Sequence, residues 1–464
     1  MVKGRISEPA LRPDWSRHEI AVIGLARSGR SVATLLARSG NTVYASDAGR
    51  SPALERTAEA LEREDVAVDI GTHDTARIAR SSLVVVSPGV PPDAPSIVAA
   101  QEKGIDVVSE VEIALRFLPN VNYIAITGTN GKTTTTALVA HLLQALGLRA
   151  VAAGNIGTPL SEIAVQPATP QWVALEVSSY QLHFTPSIRP QVGVFTNVSP
   201  NHLDRYGSVE EYYADKKLLF RNAEPSSQWV TNADDPVVQE LAQDAAGVQT
   251  RFSTTRKADA YFERSADQLV VLGCSLVKRS ELKLIGDHNV ANALAASLAV
   301  MLAEPAHRST DSCGLLGDGL RSFRSLEHRI EIVGEIGGVL WINDSKSTNV
   351  TSTAVALRGM TRPTVLLLGG RHKGEPYTAL APELKRAVKL VVAYGDAASQ
   401  IARDLEGIVP VEQGGTNFTE VIERARRATA PGDAVLLSPA CSSFDMFENY
   451  EQRGTEFKRL VTKA

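Results

Sequence analysis

One stretch constrains this 464-residue chain more than any other: Ile124-Ala-Ile-Thr-Gly-Thr-Asn-Gly-Lys-Thr-Thr134, a short β-branched run that stops at a glycine-rich turn. The apolar run reads as a buried strand, and residues 137–148 read as the helix that follows. A strand, a glycine turn, a lysine and a helix N-terminus build an anion cradle. Glycine lets backbone N–H groups face a phosphate, Lys132 supplies positive charge, and the Thr133 hydroxyl can reach a magnesium ion. Gly128, Thr129, Asn130, Gly131, Lys132, Thr133 and Thr134 are therefore the candidate loop for a nucleotide triphosphate. The loop is not a full Walker A motif, because Gly128 lies too close to Gly131-Lys132 for G-x-x-x-x-G-K-[ST].

The length exceeds what one ordinary core serves, so about three domains are expected. Apolar residues make up 44% and charged residues 22%, as in ordinary globular chains. A net charge of −4 supplies no general attraction to nucleic acid, and none is expected as a partner. Cys274, Cys313 and Cys441 are far apart and form no CxxC pair, which indicates neither a disulfide framework nor a zinc site. A cytoplasmic location is the expectation. No apolar run reaches the roughly 18 residues that a membrane span needs. Residues 1–18 lack the apolar core of a signal peptide and read as a frayed N-terminal extension.

Three blocks follow, 19–110, 111–325 and 326–464. Each alternates short apolar strands with helical stretches, the pattern of α/β domains built on parallel sheets. In the first, strands are expected at 19–23, 42–45 and 83–86. In the second, strands at 172–177 and 192–198 end in polar tails that should converge on the phosphate loop, since sites in open parallel sheets form at the carboxyl ends of strands. In the third, strands are expected at 339–343, 364–368, 390–394 and 434–437.

Most chemically suggestive residues admit two readings at this level. Gly24-x-x-x-x-Gly29, with Asp47 downstream, fits a nucleotide site and a tight structural turn equally well. Glu176 ends a buried strand, where it could hold magnesium or simply be solvated. A lone histidine such as His202 is more often structural than a ligand. Lys216 and Lys217 look like a solvated pair on a helix at 209–220. Asn289 and Asn292 could cap a helix or hydrogen-bond a base. Asp344, Lys346, Thr348 and Lys373 fall in two loops of the third block, where a cationic pair with a hydroxyl suits a carboxylate substrate.

Taken in order, these segments resemble the Mur ligase family over nearly the whole chain. The resemblance rests on Thr127-Gly-Thr-Asn-Gly-Lys-Thr-Thr134, Gly154-Asn155-Ile-Gly157, Leu175-Glu176-Val-Ser-Ser179, Asn197-x-x-x-Asn201-His202-Leu-Asp204, Gly286-x-His288-Asn289-x-x-Asn292-Ala293 and His328-Arg329. In the third block, Asn343-Asp-Ser-Lys-Ser-Thr-Asn349, Leu367-Leu-Gly-Gly370 with Lys373, and Leu437-Ser-Pro-Ala-Cys-Ser-Ser-Phe-Asp445 resemble the D-glutamate-adding branch. No Asp-Asn-Pro-Arg segment, which would point to a diamino-acid-adding sister, is present.

The resemblance implies a Rossmann-like N-terminal domain, a P-loop ATPase-like central domain and a Rossmann-like C-terminal domain in a monomer. It implies ATP, two magnesium sites, UDP-N-acetylmuramoyl-L-alanine and D-glutamate, joined through an acyl phosphate in peptidoglycan precursor synthesis. Lys132 would grip the β- and γ-phosphates. Thr133 and Glu176 would hold one magnesium, and His202 would serve the second. Lys216 matches the family's carbamylated lysine, with Lys217 beside it as the other register. Asn289, Asn292, Arg329 and Asp344 would contact the nucleotide, and Lys346 the transferred phosphate. Thr348, Lys373, Ser443 and Phe444 would hold D-glutamate, and Asn155 would face the muramoyl peptide. Arg27, Ser28, Asp47, Ser87, Pro88 and Gly89 would contact the uridine diphosphate. Departures from the family pattern are Ser347 for alanine, His372 for aspartate and Glu327 for proline. A nucleotide-binding regulator without turnover is the competing class, and intact Lys132, Glu176, His202 and Lys346 speak against it.

Overall fold

The computed structural model describes residues 15–200 and 206–463. These form two compact units: one runs to Arg279 and resumes at Ala291–Arg321, and the other comprises Ser280–Val290 and the chain from Ser322 onward. The first unit carries two sheets and the second carries one.

The first sheet is wholly parallel, in the spatial order Ala67–Ile70, Val43–Asp47, Ile20–Ile23, Leu83–Val86, Val107–Ser109. Its two central strands are buried at every position, which is why they read as unbroken apolar runs. Trp15, inside the stretch expected to fray, is buried in this core. Its indole Nε1 donates to Asp106 at 2.8 Å, and Arg116 stacks over the ring.

The nine-stranded second sheet places Asn122–Thr127 between Val192–Phe195 and Trp172–Glu176. It is parallel except at one end, where Ala260–Glu263, Gln268–Val271 and Cys274–Lys278 form an antiparallel meander. The third sheet runs Glu331–Ile336, Val339–Asn343, Ala434–Leu437, Thr364–Gly369, Val388–Tyr394, Val411–Gly415. Only its first pair is antiparallel. That hairpin closes through Gly337 and Gly338 at φ 59° and 77°, the backbone of a two-residue type I′ turn that disfavours side chains. The α/β architecture with three sheets is as expected. The antiparallel additions were not, because turn glycines rather than strand periodicity announce them.

Two expectations need correction. The strand expected over 192–198 stops at Phe195; beyond it the Thr196 hydroxyl and the Asn197 side chain bond the phosphate loop. Cys274 and Cys313, which sequence spacing left unpaired, are disulfide-bonded with a Cα–Cα distance of 6.5 Å. The helix Thr310–Ser322 lies against the Cys274–Lys278 strand, and a Cβ at Gly317 would strike the Leu276 carbonyl. The two cysteines meet through tertiary packing, invisible in a separation of 39 residues.

A buried polar knot joins three helices of the first unit. Glu110 opens the helix Glu110–Phe117 and accepts a hydrogen bond from the Ser161 backbone N–H. The Ser161 hydroxyl reaches Ser31 of the helix Arg27–Arg38 at 2.9 Å. Glu110 Oε2 is buried without a partner. Burial pushes this carboxyl up from its ordinary 4.5 to about 7. The folded pKa is raised, so the stability this group allows is full below pH 4.5 and is lost as pH rises through about 7. The expected result is that Glu110→Gln removes this loss. Between pH 5 and 8.5 the wild-type stability should fall by up to about 3 kcal/mol relative to the variant, at about 1.4 kcal/mol per pKa unit. Paired melting curves at both pH values measure it, and parallel curves would remove Glu110 as the cause.

Candidate active site

The strand Asn122–Thr127 runs into the turn 128–131 and then into the helix Lys132–Ala145. That helix begins five residues earlier than its apolar pattern suggested, because Gly131 takes φ 79° and acts as its N-cap. A side chain could not sit at Gly128 or Gly131: a Cβ would overlap Thr196 Oγ1 at the first and Asn292 Oδ1 at the second. No acidic residue occupies the first turn, so the positive end of the helix keeps its preference for an anion.

Asn197 holds the turn from behind. Its carbonyl accepts from the Thr129 N–H at 2.8 Å and its Oδ1 from the Asn130 N–H at 2.9 Å. The hydroxyls of Thr129 and Tyr212 lie 3.0 Å apart. Lys132 Nζ donates to the carbonyls of Gly128 and Thr129 at 2.9 and 2.8 Å. Lys216 Nζ donates to the same Gly128 carbonyl at 2.8 Å.

Lys216 and Lys217, alike in composition, differ completely in surroundings. Lys216 is 1% exposed and Lys217 is exposed. Burial, and then the neighbouring Lys132 charge, hold the Lys216 amine well below the ordinary lysine range; Glu176 and Asp215 offset part of this.

Glu176 ends the strand Trp172–Glu176, beside the phosphate strand. It is buried, its Oε1 accepts from Asn155 Nδ2 at 2.8 Å, and its Oε2 is buried without a partner. An orphaned carboxylate oxygen beside a phosphate loop, with the Thr133 hydroxyl buried on the adjoining helix turn, is a donor set that fits a hard divalent cation. His202 lies outside the described residues.

Asn155 also lines a cavity of about 800 Å³ in the first unit. Arg27, Ser28, Asp47, Ser87, Pro88 and Gly89 line it too, so every expected uridine-diphosphate residue and the expected peptide residue face one space. Asp47 accepts from the Leu25 N–H at 2.7 Å and the Gly49 N–H at 2.8 Å, which holds the first glycine turn open. Ser87 Oγ donates to the Gly24 carbonyl at 2.8 Å. Arg27 pairs with Glu162 at 3.2 Å at an exposed position. His73 also lines the cavity, its Nδ1 2.8 Å from the Ser46 hydroxyl; sequence reasoning passed over it and Tyr212, and gave Asn197 a place in a motif but no role. The strand-tail position of Asn197 was the available signal, whereas nothing local marks His73 or Tyr212.

In the second unit three adjacent strands, Val339–Asn343, Ala434–Leu437 and Thr364–Gly369, end in the loops that carry Asp344, Lys346 and Thr348, then Ser443 and Phe444, then Lys373. The loops interlock through backbone bonds from Asp344 N–H to Leu437 O, Ala440 N–H to Ser347 O and Arg371 N–H to Ser442 O, at 2.8 to 2.9 Å. Asp344 is buried and accepts from Ser438 Oγ, Ser347 Oγ and the Ile330 N–H, yet burial still pushes its carboxyl up to about 6. Ser347, one of the departures, thus adds a bond that alanine could not make. Arg329 is flanked by His328 and Ile330 at φ 62° and 43°, costly for non-glycine residues, above all a β-branched one. Lys346 Nζ lies 5.2 Å over the Tyr450 ring. Ser443 is buried, Thr348 is half-buried, and Lys373 and Phe444 are exposed. Asn289 and Asn292 are both buried on the helix Asp287–Ala303, with Asn289 Nδ2 donating to the Ile285 carbonyl at 2.8 Å.

The chain is similar to known proteins along nearly its whole length. Residues 18–109 match the model for the Mur ligase MurD-like N-terminal domain, 126–300 that for the Mur ligase middle domain and 328–441 that for the Mur ligase glutamate ligase domain. The chain is 39% identical over 452 residues to a protein of Acidobacterium capsulatum named UDP-N-acetylmuramoylalanine–D-glutamate ligase, covering 96% of each. It is 40% identical to the protein of that name from Salinibacter ruber, covering 97% of this chain and 99% of the relative. Its fold is similar to the UDP-N-acetylmuramate–alanine ligase of Thermotoga maritima, at TM-score 0.61 and 21% identity over 97% of this chain and 100% of that one. Likeness to MurF of Acinetobacter baumannii is comparable, at TM-score 0.59 and 18% identity over 95% and 92%. With all three blocks matched in order and near-complete coverage of its relatives, the chain belongs to the Mur ligase family.

Proposed function

We propose that the chain is an ATP-dependent ligase that adds D-glutamate to UDP-N-acetylmuramoyl-L-alanine in the cytoplasm, during peptidoglycan precursor synthesis. The observation that carries this reading is the cavity that starts at the first glycine turn and reaches Asn155, whose amide bonds Glu176 beside the phosphate loop. A long nucleotide-linked substrate laid in that cavity would present its terminal carboxylate to the γ-phosphate. In this reading 19–110 holds the uridine nucleotide, 111–325 holds ATP and 326–464 brings in the amino acid, with the chain acting as a monomer.

A carboxylate oxygen attacks the γ-phosphorus and ADP leaves. The D-glutamate amine, having lost its proton, attacks the acyl carbon, and phosphate leaves as the amide forms. Two polyanions must meet, so positive charge has to offset their repulsion. Lys132 and the helix N-terminus supply it at the β- and γ-phosphates, and Lys346 supplies it at the transferred phosphate. Magnesium, when bound, neutralises the phosphate oxygens. Glu176 and Thr133 would hold one ion, and His202 with a carbamylated Lys216 would serve the second. A buried amine whose charged form is disfavoured is a nucleophile for carbon dioxide, and the carbamate it forms is an anion. The buried state of Lys216 supports this choice over Lys217. Asn289, Asn292, Arg329 and Asp344 would contact the nucleotide. Thr348, Lys373, Ser443 and the Phe444 backbone would receive the carboxylates of D-glutamate. Arg27, Ser28, Asp47, Ser87, Pro88 and Gly89 would face the uridine diphosphate, and Asn155 the muramoyl peptide.

Phosphate release measured with UDP-N-acetylmuramoyl-L-alanine and ATP against D-glutamate, L-glutamate, L-lysine and meso-diaminopimelate tests the reading. Turnover is expected with D-glutamate alone. Turnover only with a diamino acid would overturn the substrate assignment.

A further inference from the structure

Arg453 is a fully buried cation that the reaction as described does not use. It sits in the first turn of the helix Tyr450–Thr462, which Asn449 caps. Its guanidinium hydrogen-bonds no carboxylate among the described residues; its hydrogen bonds go to loop atoms, and its charge also acts on the Tyr394 hydroxyl at the end of the strand Val388–Tyr394. Nε donates to Ser345 Oγ at 3.0 Å and Nη2 to the Ser345 carbonyl at 2.8 Å. Both Nη atoms reach the Cys441 carbonyl at 3.3 Å. A Cβ at Gly370 would lie 3.2 Å from Nη1. One planar group therefore hydrogen-bonds the loops that carry Lys346 and Ser443 and lies close to Gly370, where the loop that carries Lys373 begins. The neighbouring Gly454 lets the helix approach this closely, since a Cβ there would strike the His328 ring.

Burying an arginine without a carboxylate costs several kcal/mol, and filling the same volume with apolar atoms would cost less. A rigid five-donor fork, however, sets carbonyls of separate loops in one register, which neither lysine nor an apolar side chain can do. Its charge also lies behind loops whose proposed ligand carries two carboxylates. We propose that Arg453 is the positioning residue of the amino-acid subsite, holding the Ser345–Lys346 and Cys441–Ser443 segments in the register that receives the D-glutamate carboxylates. This rests on the D-glutamate reading above.

The test compares the wild type with Arg453→Lys, which keeps the charge and loses the fork, and with Ser345→Ala, which removes one acceptor and leaves the cation in place. The KM for each of D-glutamate, UDP-N-acetylmuramoyl-L-alanine and ATP is measured with the melting temperature. For Arg453→Lys, the D-glutamate KM is expected to rise about tenfold or more while the KM for UDP-N-acetylmuramoyl-L-alanine stays within about twofold. Ser345→Ala should show the same selectivity with a smaller rise, about threefold. A folded Arg453→Lys variant with unchanged D-glutamate KM, or with all three KM values raised alike, overturns the proposal. Should Arg453→Lys fail to fold, Ser345→Ala decides by the same criterion. A wild type inactive with D-glutamate would instead fail the underlying substrate reading.

Discussion

Replacing Lys216 with alanine is expected to lower the ligation rate by about 10³-fold, the scale set by losing a preorganised charged group at a phosphoryl-transfer site. Excess bicarbonate should not restore it, because alanine has no amine to carbamylate. The melting temperature should fall by a few degrees while the variant stays folded at the assay temperature. Lys216 is among the largest fully buried side chains, so the variant leaves a cavity and loses the bond to Gly128, a loss that removing a buried amine partly offsets; the melting curve separates this stability loss from the loss of rate. The measurement is kcat with and without added bicarbonate, with a melting curve alongside. Two lysines that donate to the single Gly128 carbonyl are hard to reconcile if both are cations. Converting the buried one to an anionic carbamate turns repulsion from Lys132 into attraction. A fully active Lys216→Ala variant would sink the carbamate assignment and leave Lys216 as a structural donor to the loop.

The second large effect is expected at Glu176. Glu176→Gln keeps the Oε1 that Asn155 binds and neutralises the group whose Oε2 has no protein partner. A fall in kcat of about 10²–10³-fold is expected, together with a higher magnesium concentration for half-maximal rate, because a neutral amide is a poor ligand for a hard cation. A magnesium titration of the initial rate reads both quantities. An unchanged magnesium dependence would reassign Glu176 to holding Asn155 alone. Substrate affinity in the 800 Å³ cavity should change far less, since the amide oxygen still accepts from Asn155.

Much of the site is legible in the chain because its parts are local. A strand, two glycines at positive φ and a helix start within a few residues, so the phosphate loop can be read from its own sequence. Strand tails also show themselves, as polar residues after apolar runs: Glu176 and Asp344 follow that rule, whereas Ser443 was named by the family resemblance alone. The cavity-lining residues Arg27 and Ser28 start a helix, Asp47 ends a strand and Ser87 to Gly89 follow one, all at junctions that the βα rhythm exposes. Other features have no local sign. His73 matters because its loop rims the cavity, and Glu110 because three helices enclose it. The hairpin glycines 337 and 338 did carry a signal, outweighed by the parallel rhythm around them.

The sequence by itself determined the α/β class, the three-sheet plan and the anion cradle, because hydrophobic periodicity and glycine backbone freedom act over a few residues. Only the tertiary structure decided which of two adjacent lysines is buried against the phosphate loop, that Cys274 meets Cys313, and that Arg453 ties two loops together from one helix. Burial, like-charge repulsion and the convergence of distant loops belong to no segment of the chain. They arise only when elements far apart in sequence share the same space.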